Sequence, residues 1–275
     1  MDVPVESTDD RVGEGNLERW PVPLRARART VLLLVAGLVA LAWAAVVWID
    51  LLGMVERGDR FKPVWVHLFN DRPVEWIQWF ILPATTVGAA YLAARLHHLE
   101  EQRPASFFFL LAIATALMLI EDAGDIRHVI SDYVVQFHGD RVLGLPTRVA
   151  TDVPYFALLA AVPLYALIRY GRDAWRAPGA RPYLVTGFGL YALAGASSGI
   201  RHLGDLYVRL GAFIDARIMG GRFPVPEGMD PDRAHFFLVD SLLEESVESL
   251  AAACFLGIVL AFATDVRARR LESAR

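Results

Sequence analysis

The sequence predicts an all-α integral membrane protein, a polytopic bundle of six transmembrane helices. Of its 275 residues 55% are hydrophobic, and the mean hydropathy is +0.37. The apolar residues gather into runs of about twenty, the length that spans a bilayer as a helix. A net charge of −4 gives no basic excess for binding nucleic acid. We therefore expect a multi-pass protein of a bacterial-type inner or plasma membrane, with the lipid bilayer as partner and no nucleic acid.

The predicted spans follow one another with polar segments between them. Residues 1–29 are predicted to be a flexible polar tail, residues 30–265 the six-helix domain and residues 266–275 a basic tail. The spans are predicted at 31–52, 76–96, 106–130, 153–170, 182–202 and 235–263. Arginines near both ends of the chain and after the fourth span predict cytoplasmic N and C termini, because positive residues concentrate on the cytoplasmic side. The long loop at 203–234 is predicted to be irregular.

Two rare residue types limit the possible cofactors. Lys62 is the only lysine and lies in a connecting loop, which excludes a retinal Schiff base inside a helix. Cys254 is the only cysteine and lies in an apolar run. A single thiol excludes an intramolecular disulfide and a thiolate metal cage, and we interpret Cys254 as a small buried apolar residue.

The stretch LIEDAGDIRHVISD, residues 119–132, places charged residues at the end of the third apolar run. On a continuous helix, four side chains would lie within about 60° of one another: Glu121, Asp125, His128 and Asp132. Asp122 and Arg127 would point elsewhere. Ionisable groups at membrane depth cost at least ~2.5 kcal/mol each, so such a stripe normally faces a cavity, a ligand or the protein interior.

The sixth span carries a second acidic stripe. Its members on one face are Asp240, Ser241, Glu244 and Glu248, whereas Glu245 points about 100° away from Glu244. At 1.5 Å per residue, Glu244 and Glu121 each lie roughly 14 Å from the outer end of their predicted helices. The two stripes are therefore predicted to meet at a site that faces outward.

The segment IRHLGDLYV at the end of the fifth span repeats much of IRHVISDYV in the third. His202 is predicted to face inward, as His128 does. Arg127 and Arg201 are predicted to be interfacial anchors or anion contacts.

The spacing of Asp125 and His128 is the one by which helix bundles present a carboxylate and an imidazole to one metal. We predict a metal site, possibly with two metal ions, whose ligands are Glu121, Asp125, His128, His202, Glu244 and Glu248. Glu245 and Asp122 are predicted to transfer protons in catalysis. Oxygen and nitrogen ligands suit a divalent metal such as iron, zinc or manganese. The protein would then be a membrane-embedded metalloenzyme, an oxidoreductase or a hydrolase, acting on a lipid-soluble substrate.

Other interpretations remain open. The motifs EDAGD and EESVE, three spans apart, are typical of an inverted repeat and favour a transporter or channel for cations or protons. On that interpretation the ligand is a small cation. Alternatively, Arg127 and Arg201 neutralise nearby carboxylates, and the protein is a non-catalytic structural subunit. A b-type haem between His128 and His202 is the least favoured possibility.

Overall fold

The computed structural model describes residues 27–55 and 61–273. The predicted N-terminal tail lies outside the described residues except at its end. In the described part of the chain, six helices are long and apolar enough to cross a membrane: Ala28–Leu51, Val66–His98, Gln102–Gly124, Thr147–Ala174, Pro178–Ile200 and Pro231–Glu272. The all-helical class and the six candidate spans are thus confirmed.

The helices are numbered in chain order. They are α1 (Ala28–Ala45), α2 (Glu75–His98), α3 (Gln102–Gly124), α4 (Ile126–His138), α5 (Thr147–Ala174), α6 (Arg181–Ile200), α7 (Leu206–Ile214), α8 (Pro231–Phe237) and α9 (Glu245–Ser273). A short antiparallel hairpin of β1 (Arg141–Val142) and β2 (Leu145–Pro146) joins α4 to α5. Wider π-helical turns occupy Val46–Leu51, Val66–Asn70, Asp215–Met219 and Leu238–Glu244, and Pro178–Ala180 form a 3₁₀ turn.

Helix α9 is the centre of the bundle and packs against α1, α2 and α6. In its most apolar stretch 72% of the residues are buried, against 17% in the first and fourth spans. Every residue from 251 to 260 is buried. Small side chains such as Ala251, Ala252 and Ala253 let neighbouring helices approach closely, as is usual between helices in membranes.

The third span is not continuous, so the predicted helix over 106–130 is wrong. Helix α3 ends at Gly124, and Asp125 adopts a left-handed conformation with φ 49° before α4 begins. Aspartate tolerates this conformation better than most residues because its short polar side chain can form local hydrogen bonds. As a result Glu121 lies one turn from the end of α3, not deep within a long helix.

A second Gly-Asp corner follows α6. Gly204 and Asp205 both have positive φ, 60° and 57°, and the chain then forms α7. The predicted irregular loop therefore contains a helix. A Cβ on Gly211 of α7 would lie 2.0 Å from the carbonyl oxygen of His235 in α8. Glycine at this position allows the two helices to touch.

The end of the bundle away from the start of α9 is basic. Helix α9 runs on through the predicted basic tail to Ser273. Arg269 pairs with Asp265 at 3.0 Å and lies 3.7 Å from Glu101, while Arg103 pairs with Asp173 at 2.9 Å. The predicted cytoplasmic position of this end stays a prediction from charge.

Candidate functional site

A polar cavity of about 240 Å³ lies at the N-terminal end of α9, enclosed by α2, α3, α6, α9 and the corner between α3 and α4. Eight of its lining residues are acidic: Glu75, Glu121, Asp122, Asp125, Asp240, Glu244, Glu245 and Glu248. Its cationic lining residues are Arg72, Arg127 and Arg201, with His128 beside them. The lining therefore carries a formal excess of five negative charges when His128 is neutral.

A chain of four side chains crosses the mouth of the cavity, and we call it the mouth chain: Asp125, His128, Arg201 and Asp240. The Arg201 Nη1 donates to Asp240 Oδ1 at 2.7 Å, and its Nη2 donates to His128 Nε2. Since arginine can only donate, His128 Nε2 must accept, and the Nδ1–H then donates to Asp125. The mouth chain joins the corner of α3 and α4 to the end of α6 and to the π-helical turn before α9.

The members of the mouth chain differ in exposure. The side chains of Asp125 and His128 are 47% and 40% exposed, so they lie at the rim. Arg201 is only 5% exposed. Burial by itself would lower the pKa of Arg201, but the carboxylates of Asp240 and Glu244 raise it above its ordinary value. Arg201 is thus a buried, charged partner of Asp240, which agrees with the predicted anion contact and not with an interfacial anchor.

Arg127 is also buried, and the prediction that it points away from the stripe is wrong. Its Nε lies 3.5 Å from Glu121 Oε1 and its Nη1 lies 3.8 Å from Asp152 Oδ2. Its guanidinium lies over the ring of Phe156, 4.9 Å from the centroid. The break at Asp125 explains the difference, because the residues that follow it no longer continue the helical positions of α3.

The deepest carboxylates contact neutral donors. Gln78 Nε2 donates both to Glu245 Oε2 at 3.1 Å and to Glu248 Oε2 at 3.2 Å. Trp79 Nε1 donates to Asp122 Oδ2 at 2.9 Å. These donors orient the carboxylates, but they carry no charge that would balance them.

Two tyrosines supply further neutral donors. Tyr207, which is 2% exposed, donates to Glu244 Oε2 at 2.7 Å. Burial and the negative charge of Glu244 raise the pKa of Tyr207, so the hydroxyl keeps its proton. Tyr155 donates to Glu121 Oε2 at 2.5 Å. Among the described residues, no salt bridge reaches Asp122, Glu244, Glu245 or Glu248.

Glu245 and Asp122 both line the cavity, contrary to the directions predicted for them. Glu245 lies three residues before Glu248 in α9, so the two carboxylates share a face and both reach Gln78. Glu244 points away from Glu245 and reaches Tyr207, so the cavity covers more than one face of this segment. Asp122 lies near the end of α3 and reaches Trp79 of α2.

One predicted metal ligand, His202, and one residue of the predicted stripe, Asp132, lie elsewhere. His202 stacks on Phe236, with 5.6 Å between ring centroids and 13° between the ring planes, and is not among the cavity-lining residues. Its burial, together with the positive charge of Arg201, lowers its pKa to about 4. Asp132 is 67% exposed and pairs with Arg148 at 3.3 Å. The broken third span separates Asp132 from the cavity.

Sequence analysis missed the neutral donors around the carboxylates. Gln78 is the one with a usable signal, because an amide in the middle of an apolar run needs a buried polar partner. Trp79 and the tyrosines of α5 and α7 carry no signal that separates them from ordinary interfacial or core aromatics. Their roles depend on contacts between helices far apart in the chain.

The cavity holds no ready-made metal cage: in the described ranges, no three or more His, Cys, Asp or Glu side chains are arranged to hold a metal ion. Comparisons with protein-family models, with curated proteins and with solved structures find no match to this chain. Its function is therefore argued from the geometry of the cavity alone.

Proposed function

We propose that the protein binds a cation in the polar cavity and that the deep carboxylates Asp122, Glu244, Glu245 and Glu248 hold it. The observation that carries this proposal is that, within the described part of the chain, these four carboxylates are hydrogen-bonded only to neutral donors. They lie in a cavity that is lined by eight carboxylates and only three arginines. Each desolvated ion costs several kcal/mol unless an opposite charge compensates it. A bound cation supplies that charge.

The proposed centre is the pair Glu245 and Glu248, one turn apart at the start of α9. The Oε2 atoms of Glu245 and Glu248 both accept from the same nitrogen, Gln78 Nε2, so the two carboxylates converge on one point. A cation there would bind both carboxylates, and the Gln78 amide can turn to offer its oxygen in place of its NH₂ group. Asp122, held by Trp79, lines the same cavity and adds a further oxygen.

A divalent metal, as in the predicted metalloenzyme, is one such cation. The donors that converge are oxygens, whereas His128 is bonded to Asp125 and Arg201 and His202 lies against Phe236. Oxygen donors favour manganese over zinc or iron among the predicted metals. A metal would draw the carboxylates together on binding and would polarise the polar end of a lipid-soluble substrate.

Access from one aqueous side supports a binding site over a continuous transport path. The mouth chain marks the aqueous end of the cavity. Beyond Glu248 the buried residues 251–260 of α9 pack on apolar side chains such as Leu92 and Phe108. By the predicted topology, the mouth faces the outer side of the membrane.

The test uses the full-length protein in lipid nanodiscs, with Mn²⁺ and a short amine, 1-amino-2-propanol, as probes. At a hundredfold excess over its dissociation constant, a bound cation should stabilise the folded state by about 2.7 kcal/mol. We expect at least one probe to raise the apparent melting temperature of the wild type. The double variant Glu245→Gln/Glu248→Gln should lose the increase, and Glu100→Gln, exposed at the other end of the bundle, should keep it. An unchanged response in the double variant, or none in the wild type, would contradict the proposal.

A further inference from the structure

A second cavity, which we call the lipid groove, lies between α5 and α6 and has a volume of about 400 Å³. Its lining is apolar, with small residues on both walls, including Ala157 and Ala160 on α5 and Ala192 and Ala196 on α6. This volume lies within the range of sites that hold small-molecule ligands. Both helices belong to candidate spans, so the opening between them faces the hydrocarbon of the bilayer.

The lipid groove and the polar cavity lie on either side of a third, narrower space. Phe156, Tyr191 and Gly195 line both the groove and a narrower space of about 60 Å³. That space is also lined by Asp122 and Glu248, which belong to the polar cavity. A molecule in the groove whose head enters this narrower space would bring that head to the deep carboxylates while its chain stays in an apolar environment.

Buried arginine nitrogens near this junction are incompletely hydrogen-bonded. Arg127 is 9% exposed, lines the polar cavity and lies over Phe156. Its Nε and Nη1 atoms are ion-paired with Glu121 and Asp152 at 3.5 Å and 3.8 Å but form no hydrogen bond. The Nε of Arg201 forms none either. Buried N–H groups are usually hydrogen-bonded, so these nitrogens can still donate to an oxygen of a ligand.

We propose that the occupant is a single-chain amphiphile with an amino-alcohol head. Its ammonium group binds Glu245 and Glu248, its hydroxyl oxygen accepts from Arg127, and its chain lies in the lipid groove. This rests on the proposed cation site and names the cation that fills it. The alkyl chain of the amphiphile is already in hydrocarbon before it binds, so the lipid groove contributes selectivity for its shape and little affinity. The affinity comes from the charged head group in a cavity of low dielectric constant.

The experiment uses two photoactivatable probes with the same alkyl chain bearing a diazirine: a 1-amino-2-alkanol and the matching alcohol without the amine. After irradiation of the full-length protein in nanodiscs, labelled residues are mapped by mass spectrometry. We expect the amine probe to label α5 and α6 along the groove and the amine-free probe to do so far less. Glu245→Gln/Glu248→Gln should lower labelling by the amine probe by at least about 100-fold, the lower limit for removing one partner of a buried ion pair.

Groove variants test the path of the chain. Ala160→Trp should fill the groove and abolish labelling there, whereas Leu158→Trp, on the exposed side of the same helix, should leave labelling unchanged. Ala192→Phe, which fills the groove from α6, provides a second blocking variant. Stabilisation by 1-amino-2-propanol, equal to that of the wild type, identifies a blocking variant that retains its fold and its cation site.

The outcomes separate the two proposals. If 1-amino-2-propanol stabilises the wild type but the long amine probe labels no groove residue, the amphiphile proposal is overturned and the cation site stands. Equal groove labelling by the amine and amine-free probes overturns it as well, since the head then plays no part. If neither Mn²⁺ nor the short amine binds, the cation site itself fails.

Discussion

Arg201 tests whether the acidic excess of the cavity controls stability. Replacing it with methionine, of similar length, leaves Asp240 without its partner at 2.7 Å and increases the formal excess of negative charge from five to six. Breaking a buried ion pair in this way typically costs about 3–5 kcal/mol. Asp240→Asn, in contrast, keeps an acceptor oxygen for Arg201 and lowers the excess to four. The two partners of one salt bridge should therefore differ sharply in effect.

The assay is thermal unfolding of the purified protein in detergent. At roughly 2–4 °C per kcal/mol for a chain of this size, Arg201→Met should lower the apparent melting temperature by about 10 °C. Asp240→Asn should lower it by less than about 5 °C, because Glu244 still attracts the guanidinium. The double variant should recover part of the loss of Arg201→Met. If Asp240→Asn costs as much as Arg201→Met, the reasoning from charge excess is refuted.

Two further predictions concern packing and pH. Gly211→Ala places a Cβ 2.0 Å from a backbone oxygen of α8 and should destabilise the fold by about 1–3 kcal/mol. Gly189→Ala, with open space around it, should be neutral or slightly stabilising in the same melting assay; equal losses would argue against the close contact. His202 has a folded pKa of about 4, below its ordinary 6.5. Because the folded protein favours the neutral imidazole, the contribution of His202 to the free energy of unfolding is full above pH 6.5. That contribution is lost as the pH falls toward about 4. Wild-type protein should therefore lose more thermal stability between pH 7.5 and pH 5 than His202→Phe, which retains the apolar contact with Phe236; equal losses would refute this role.

The six helices could be predicted because each candidate span is a long apolar run, and hydrocarbon forces such a run to satisfy its own backbone hydrogen bonds as a helix. The approach of the two acidic stripes was also predicted, and both contribute to one cavity. Every predicted member except Asp132 lines that cavity, but Asp122, Arg127 and Glu245 line it as well. The positions of Asp122, Arg127 and Glu245 were assigned on the assumption of unbroken α-helices.

The break at Asp125 accounts for the error at Arg127, whereas Asp122 and Glu245 line the cavity because it covers more than one face of α3 and of the start of α9. The Gly124-Asp125 pair is a common turn signal. It lies inside an apolar pattern that favours a continuous helix. The π-helical turn over Leu238–Glu244 has no comparable signal in the sequence. The partners of the carboxylates, such as Gln78 and Tyr207, depend on contacts between distant helices. Sequence spacing along a single helix does not specify such contacts.

The central position of α9 has a consequence for biogenesis. Its chain position places it after the five other candidate spans, so the ribosome makes it last among them. Until it is made, α1, α2 and α6 lack their common partner, and Arg201 lacks Asp240. Helices α2 and α3, and α3 and α5, contact each other extensively without α9. The acidic cavity, in contrast, is complete only when the residues from Asp240 to Glu248 have been made.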